Sequence, residues 1–293
     1  MLYTPADGLA PPGPRAEILG KVGAAVADAA RALVPLYSRD EGSGPAVVLL
    51  HGIGADHTVW NGVIPPLSHR FRVLAPDLRG HGRSPAPPSA GYTFDELGAD
   101  LLALLDSKEL PSAHLVGLSG GAQLALRLGL DSPARVRSVC LVGGCVYTDG
   151  HTRAIAERWA ETYGREGADA LAIRLLKDLY YPDWIETHME VADRLREEVP
   201  RHDYRPAVRW AREMASFDER GRIATLRPPA LVIQGMNDEV VDAAHGRILR
   251  QSIPGSRIRI LAQTGHMVPV ERPQETAEAI ETFVREVEEH PRA

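Results

Sequence analysis

Seven short runs constrain this chain more than anything else in it: LVPLYSR (33–39), PAVVLL (45–50), FRVLAP (71–76), AHLVGL (113–118), VRSVCLV (136–142), PALVIQG (229–235) and RIRIL (257–261). Each has the length of a strand, and most are apolar at consecutive rather than alternate positions. A strand that is apolar on both faces needs cover on both faces, which a mostly parallel sheet between two layers of helices provides. The stretches between the runs have helical periodicity, so the expected architecture is α/β, a mostly parallel twisted sheet with helices on both faces. The alternation stops after residue 146. From 147 to about 225 four amphipathic segments follow one another (150–164, 168–181, 182–198 and 203–217), with almost no strand signal. This predicts a core over 33–146 and 226–293 and an all-helical lid over 147–225. A proline-rich arm and an alanine-rich helix are expected before it, over 1–32. The helix can pack on the core, cover a pocket or support a homodimer.

With 44% apolar and 25% charged residues, the 293-residue chain can bury a large core. Its net charge of −6, without a basic stripe, argues against a nucleic-acid partner. No apolar run approaches the roughly 18 residues of a membrane helix, and the opening MLYTPADGLAPPGPR does not read as a secretory leader. The expected setting is therefore cytoplasmic, away from a membrane. The cysteines, Cys140 and Cys145, do not suggest a disulfide framework.

One segment departs from simple layering. Gly117-Leu118-Ser119-Gly120-Gly121 interrupts two apolar stretches with three glycines and a serine. It matches G-x-S-x-G between an expected strand and an expected helix, the context in which that motif presents a nucleophile. Glycines let neighbouring backbones approach, and a helix start offers unpaired N–H groups to developing negative charge. The competing reading is a tight turn with an incidental serine.

A serine hydroxyl needs a base. His266 lies in QTGHMVPVERP (263–273), just beyond the last expected strand, where α/β sheets place their chemistry. Asp238, shortly after the strand ending at Gly235, is the preferred partner for its imidazole. Its neighbour Glu239 can be mistaken for it, and Asp238 can instead be only a helix cap; Asp149, after the strand ending near Val142, is the second candidate acid. The N–H groups of Ile53 and Gly120 are the expected oxyanion donors. His51 is read as a loop-fixing residue, and His57 and Trp60 as loop or packing residues.

On these residues the chain resembles the α/β-hydrolase superfamily. HGIGADHTVW, VLAPDLRGHGRS, GLSGGA, GMNDEVV and TGHMVPVERP carry the likeness, in the nucleophile, acid, base order of that superfamily. The core is similar to the 3-oxoadipate enol-lactonases and related bacterial esterases. That resemblance implies a serine hydrolase acting on a small-molecule ester or lactone with catalytic Ser119, Asp238 and His266. It implies neither metal nor organic cofactor, and it makes Asp77 structural. Carbon–carbon hydrolysis of a ring-fission diketone, or a lyase or cyclase on the same scaffold, are the alternatives; a non-enzymatic receptor is a further one. Gly120 stands where such relatives commonly have methionine, and its missing side chain is expected to open space beside the reacting carbon.

Overall fold

The computed structural model describes residues 33–87 and 91–290; the arm and helix expected over 1–32 lie outside the described residues. The seven strands are β1 (Ser38–Glu41), β2 (Ala46–Leu50), β3 (Arg72–Pro76), β4 (Ala113–Leu118), β5 (Val136–Val142), β6 (Ala230–Gly235) and β7 (Arg257–Leu261). They form one sheet in the order β1-β3-β2-β4-β5-β6-β7. Every neighbouring pair is parallel except β1 with β3. The first expected strand is displaced: β1 begins at Ser38, not at 33. Pro35 has no N–H for a ladder, whereas the polar Ser-Arg-Asp-Glu stretch suits a sheet edge.

Helices cover both faces. Before the insertion they are α1 (Ile64–Ser68), α2 (Phe94–Ser107) and α3 (Gly120–Asp131). Alternation along each strand divides the core: Val48, Leu50, Leu115 and Leu141 pack with α2 and α3. Val47, Leu49, Val116 and Val142 point to the other face. Thr93 and Glu96 form a reciprocal capping box that starts α2. Beneath it, the buried Arg79 guanidinium pairs with Asp100 at 2.6 Å.

Between β5 and β6 the chain is helical: α4 (Gly150–Glu166), α5 (Ala168–Leu179), α6 (Pro182–Thr187), α7 (Met189–Glu198) and α8 (Arg205–Met214). The expected helix over 182–198 is two helices, because His188 leaves helical geometry at φ −130°, ψ 54°. Its Nδ1–H donates to the Trp184 carbonyl at 2.8 Å, and its ring stacks on Trp184 with centroids 4.0 Å apart. The two ends of the insertion meet in a short neck. Tyr147 bridges Asp218, Thr148 N–H donates to Phe217 O at 2.9 Å and Glu219 N–H to Val146 O at 2.8 Å. After β6, α9 (Ala243–Ser252), α10 (Val268–Glu271) and α11 (Pro273–Glu289) complete the layers. Among the described residues no helix is long and apolar enough to cross a membrane.

Candidate active site

The parallel register brings the ends of β2, β4, β5, β6 and β7 to one edge: Leu50 pairs with Gly117, Leu118 with Val142, Val142 with Ile233, and Gly235 with Leu261. The candidate residues follow these ends. Ser119 sits between β4 and α3 at φ 54°, ψ −117°, a conformation that side chains rarely adopt. Its N–H is held by Val142 O at 2.8 Å. The turn is tight enough to need glycine on both sides. A Cβ on Gly117 would stand 2.1 Å from Gly121 O, and one on Gly121 would stand 2.5 Å from Leu50 O. The glycines in this apolar stretch therefore let β2, β4 and α3 close on one another behind the serine.

Opposite, Asp238 and His266 meet at 2.7 Å between Oδ2 and Nδ1. Both are buried. Asp238 is fixed by further donors: Gln234 Nε2 to Oδ2 at 2.9 Å, and the Val240 and Val241 N–H groups to Oδ1, each at 2.9 Å. Because Nδ1–H donates to the carboxylate, a neutral His266 has its lone pair on Nε2. The dyad packs over Gly143, where a Cβ would come within 3.2 Å of the imidazole. The other acids lie elsewhere: Glu239 is exposed, and Asp149 caps α4 and pairs with His245 at 3.1 Å.

The His266 loop is tied to the insertion. His266 N–H and Met267 N–H both donate to Leu179 O, at 2.8 and 3.1 Å, at the end of α5. The buried Glu271 carboxylate accepts from Gly265 N–H at 3.0 Å and from Tyr181 N–H at 3.1 Å, and so clamps the same junction. Burial pushes the Glu271 carboxyl above the ordinary range, against the two N–H donors. Sequence reasoning missed Gln234 and Glu271. A lone polar residue in LVIQG was a signal for the first.

The Gly52–Ile53 turn approaches Ser119 from β2; a Cβ on Gly52 would be 3.1 Å from the Ser119 Cβ. Gly120 opens α3, and N–H groups in a first helical turn have no intrahelical acceptor. His51 holds this loop with both ring nitrogens. Nδ1 meets Gly52 O at 2.7 Å and Nε2 accepts from Leu78 N–H at 2.9 Å. Burial lowers its pKa to about 4, so the ring is neutral near pH 7. Trp60 is fully buried as packing. Asp77 holds His57 Nδ1 at 2.7 Å and Arg83 N–H at 2.9 Å, consistent with a structural role. Asp56, His57 and Asp77 bring potential metal-ligand atoms within 4.8 Å of one another. Asp56 Oδ1, both Asp77 oxygens and His57 Nδ1 already serve hydrogen bonds.

Ser119, His266 and Ile53 line one cavity of about 640 Å³, roofed by the insertion through residues such as Trp159, Tyr163, Leu175 and Tyr204. The space expected beside Gly120 is not open. A Cβ there would stand 2.8 Å from Met214 Sδ and 3.0 Å from Trp210 Cζ2, both from α8. Burial raises the pKa of Cys145 to about 12 and also raises that of Cys140, so neither is a ready nucleophile.

Residues 45–273 match the family model described as alpha/beta hydrolase fold. The chain is 27% identical over 241 residues to 3-oxoadipate enol-lactonase 2 of Acinetobacter baylyi, covering 82% of this chain and 89% of that protein. It is 30% identical over 245 residues to 2-hydroxy-6-oxo-2,4-heptadienoate hydrolase of Pseudomonas putida, covering 80% and 86%. Among solved structures, the enol-lactonase from Burkholderia xenovorans superposes with a TM-score of 0.80 at 29% identity, covering 86% of this chain and 97% of that one.

Proposed function

The chain belongs to the α/β-hydrolase family, and on that premise we propose that it hydrolyses a carboxylic ester or lactone of a small or medium-sized organic substrate through Ser119, His266 and Asp238. The observation that carries the reading is that a serine at φ 54° and a histidine bonded to Asp238 line one cavity. Ser119 Oγ attacks the carbonyl carbon while His266 Nε2 takes the hydroxyl proton. Asp238 holds the tautomer and stabilises the imidazolium. The Ile53 and Gly120 N–H groups receive the negative oxygen, a contribution of roughly 3–4 kcal/mol per donor. His266 returns the proton to the leaving oxygen, and the C–O bond breaks to give an acyl-enzyme, with the alcohol free from an ester and still tethered to the acyl chain from a lactone. Water, activated by the same imidazole, then releases the acid and restores Ser119. In this mechanism no metal or organic cofactor takes part, and the insertion acts as the lid. Its aliphatic and aromatic lining suits a largely apolar substrate.

The enol-lactonase relative supports the lactone side of this reading. The heptadienoate hydrolase relative supports a second reading, hydrolysis of a conjugated oxo-dienoate by the same residues. A panel of acyl esters, lactones and oxo-dienoates separates the two by relative kcat/KM. Labelling with a fluorophosphonate and turnover by Ser119→Ala test what they share. Parent labelling and a loss of turnover in the variant are expected. Parent-level turnover by Ser119→Ala would remove both readings.

A further inference from the structure

We propose that Met214, carried on the last helix of the insertion, determines which acyl groups Ser119 accepts, by standing beside the scissile carbonyl where a side chain on Gly120 would otherwise stand. The inference rests on the serine-hydrolase reading above and names the feature that selects its substrates. Three side chains converge on the place that Gly120 leaves vacant. Measured from an ideal Cβ on Gly120, Met214 Sδ is 2.8 Å away, Trp210 Cζ2 3.0 Å and Ile53 Cγ1 3.3 Å. Their roles differ. Trp210 is fully buried, whereas Met214 and Ile53 line the cavity beside Ser119. Trp210, one helical turn before Met214, is the backing, and Met214 is the surface that substrate meets.

The backbone behind Met214 is fixed. Its carbonyl accepts from the Thr148 hydroxyl at 2.6 Å and from Phe217 N–H at 3.1 Å, both at the neck of the insertion. The yielding part of this wall is therefore the side chain. Its thioether occupies the place beside Gly120, which leaves less room for a second substituent on the acyl α-carbon than a shorter side chain would leave. Ile53, β-branched and stiff, closes the other side. The chemical class that fits is an ester or lactone whose acyl carbon next to the carbonyl is unbranched. Apolar bulk farther along the chain meets the wider, insertion-lined part of the cavity.

The test compares p-nitrophenyl butyrate, 2-methylbutyrate and pivalate with butyrate esters of linear and branched alcohols. The parent should favour the unbranched acyl group. Met214→Ala should raise kcat/KM for the α-branched esters relative to butyrate by roughly tenfold or more, the scale of a methylene-sized change in a pocket. Met214→Leu, which keeps the volume, should retain the parent ranking. A parent-like ranking in a folded Met214→Ala protein overturns the proposal, and so does a change confined to branching in the alcohol. A second measurement needs no turnover. Gly120→Ala should lower Tm, and adding Met214→Ala should recover part of the loss; simple additivity overturns the contact. Failure of the underlying reading looks different, because Ser119→Ala would then hydrolyse butyrate at the parent rate.

Discussion

Asp238→Asn changes one oxygen of a carboxylate into an amide nitrogen and preserves the outline of the side chain. Four donors converge on that carboxylate: His266 Nδ1–H and Gln234 Nε2–H on Oδ2, and the Val240 and Val241 N–H groups on Oδ1. Asparagine keeps one oxygen, and the two backbone donors cannot turn away from it. The new NH2 group then faces His266 and Gln234. To accept from it, the imidazole must bare Nδ1 and carry its proton on Nε2, where it cannot take one from Ser119. Gln234 can turn its unpartnered Oε1 toward the amide, but then gives up its bond to Val241 O, 2.8 Å long. The expected loss in kcat is about ten-thousand-fold, or about 5.5 kcal/mol of transition-state stabilisation. Unfolding free energy should fall by about 1–3 kcal/mol, the range for one frustrated buried polar group. Ester turnover and fluorophosphonate labelling read the first quantity, and urea denaturation the second. Asp149→Asn, which alters the acid paired with His245, should leave kcat near the parent value. A folded Asp238→Asn protein with activity within tenfold of the parent refutes the reasoning, as would a large loss in Asp149→Asn instead.

Two further outcomes follow from the same geometry. Gly121→Ala places a Cβ 2.5 Å from Leu50 O and 2.6 Å from His51 O; neither backbone oxygen can swing aside, so a loss of about 3 kcal/mol in urea denaturation is expected, and parent stability would contradict it. His51 and His114 are held by burial at about pKa 4, below the ordinary 6.5. The unfolded chain therefore binds more protons between those values. The stability they supply is complete above pH 6.5 and is lost as pH falls toward 4, by on the order of 3 kcal/mol per residue. Urea midpoints that stay flat from pH 7 to pH 4.5 would show that these rings do not act in this way.

The inner strands were legible because they are buried almost throughout and read as apolar runs, and β7 because RIRIL alternates. The elbow was legible because the close backbone approaches at Gly117 and Gly121 admit little but glycine. Edge and junction features were harder to read. β1 is made of four polar residues, Ser-Arg-Asp-Glu, so no apolar pattern marks it. The break at His188 depends on a ring stacked on Trp184, which helical periodicity does not encode. The space beside Gly120 was misread for a related reason: its occupants, Trp210 and Met214, lie far along the chain. Only the fold shows that α8 returns to the turn at Ser119 and Gly120.

The bonds from His266 and Met267 to Leu179, and the Glu271 clamp across Gly265 and Tyr181, have a mechanical consequence. The His266 loop hangs from the segment that roofs the cavity His266 lines. Residues 179–181 and the His266 loop share these bonds, so the position of the imidazole is tied to the insertion. The His266–Asp238 contact is thus set as much by the insertion as by the sheet edge from which both loops spring.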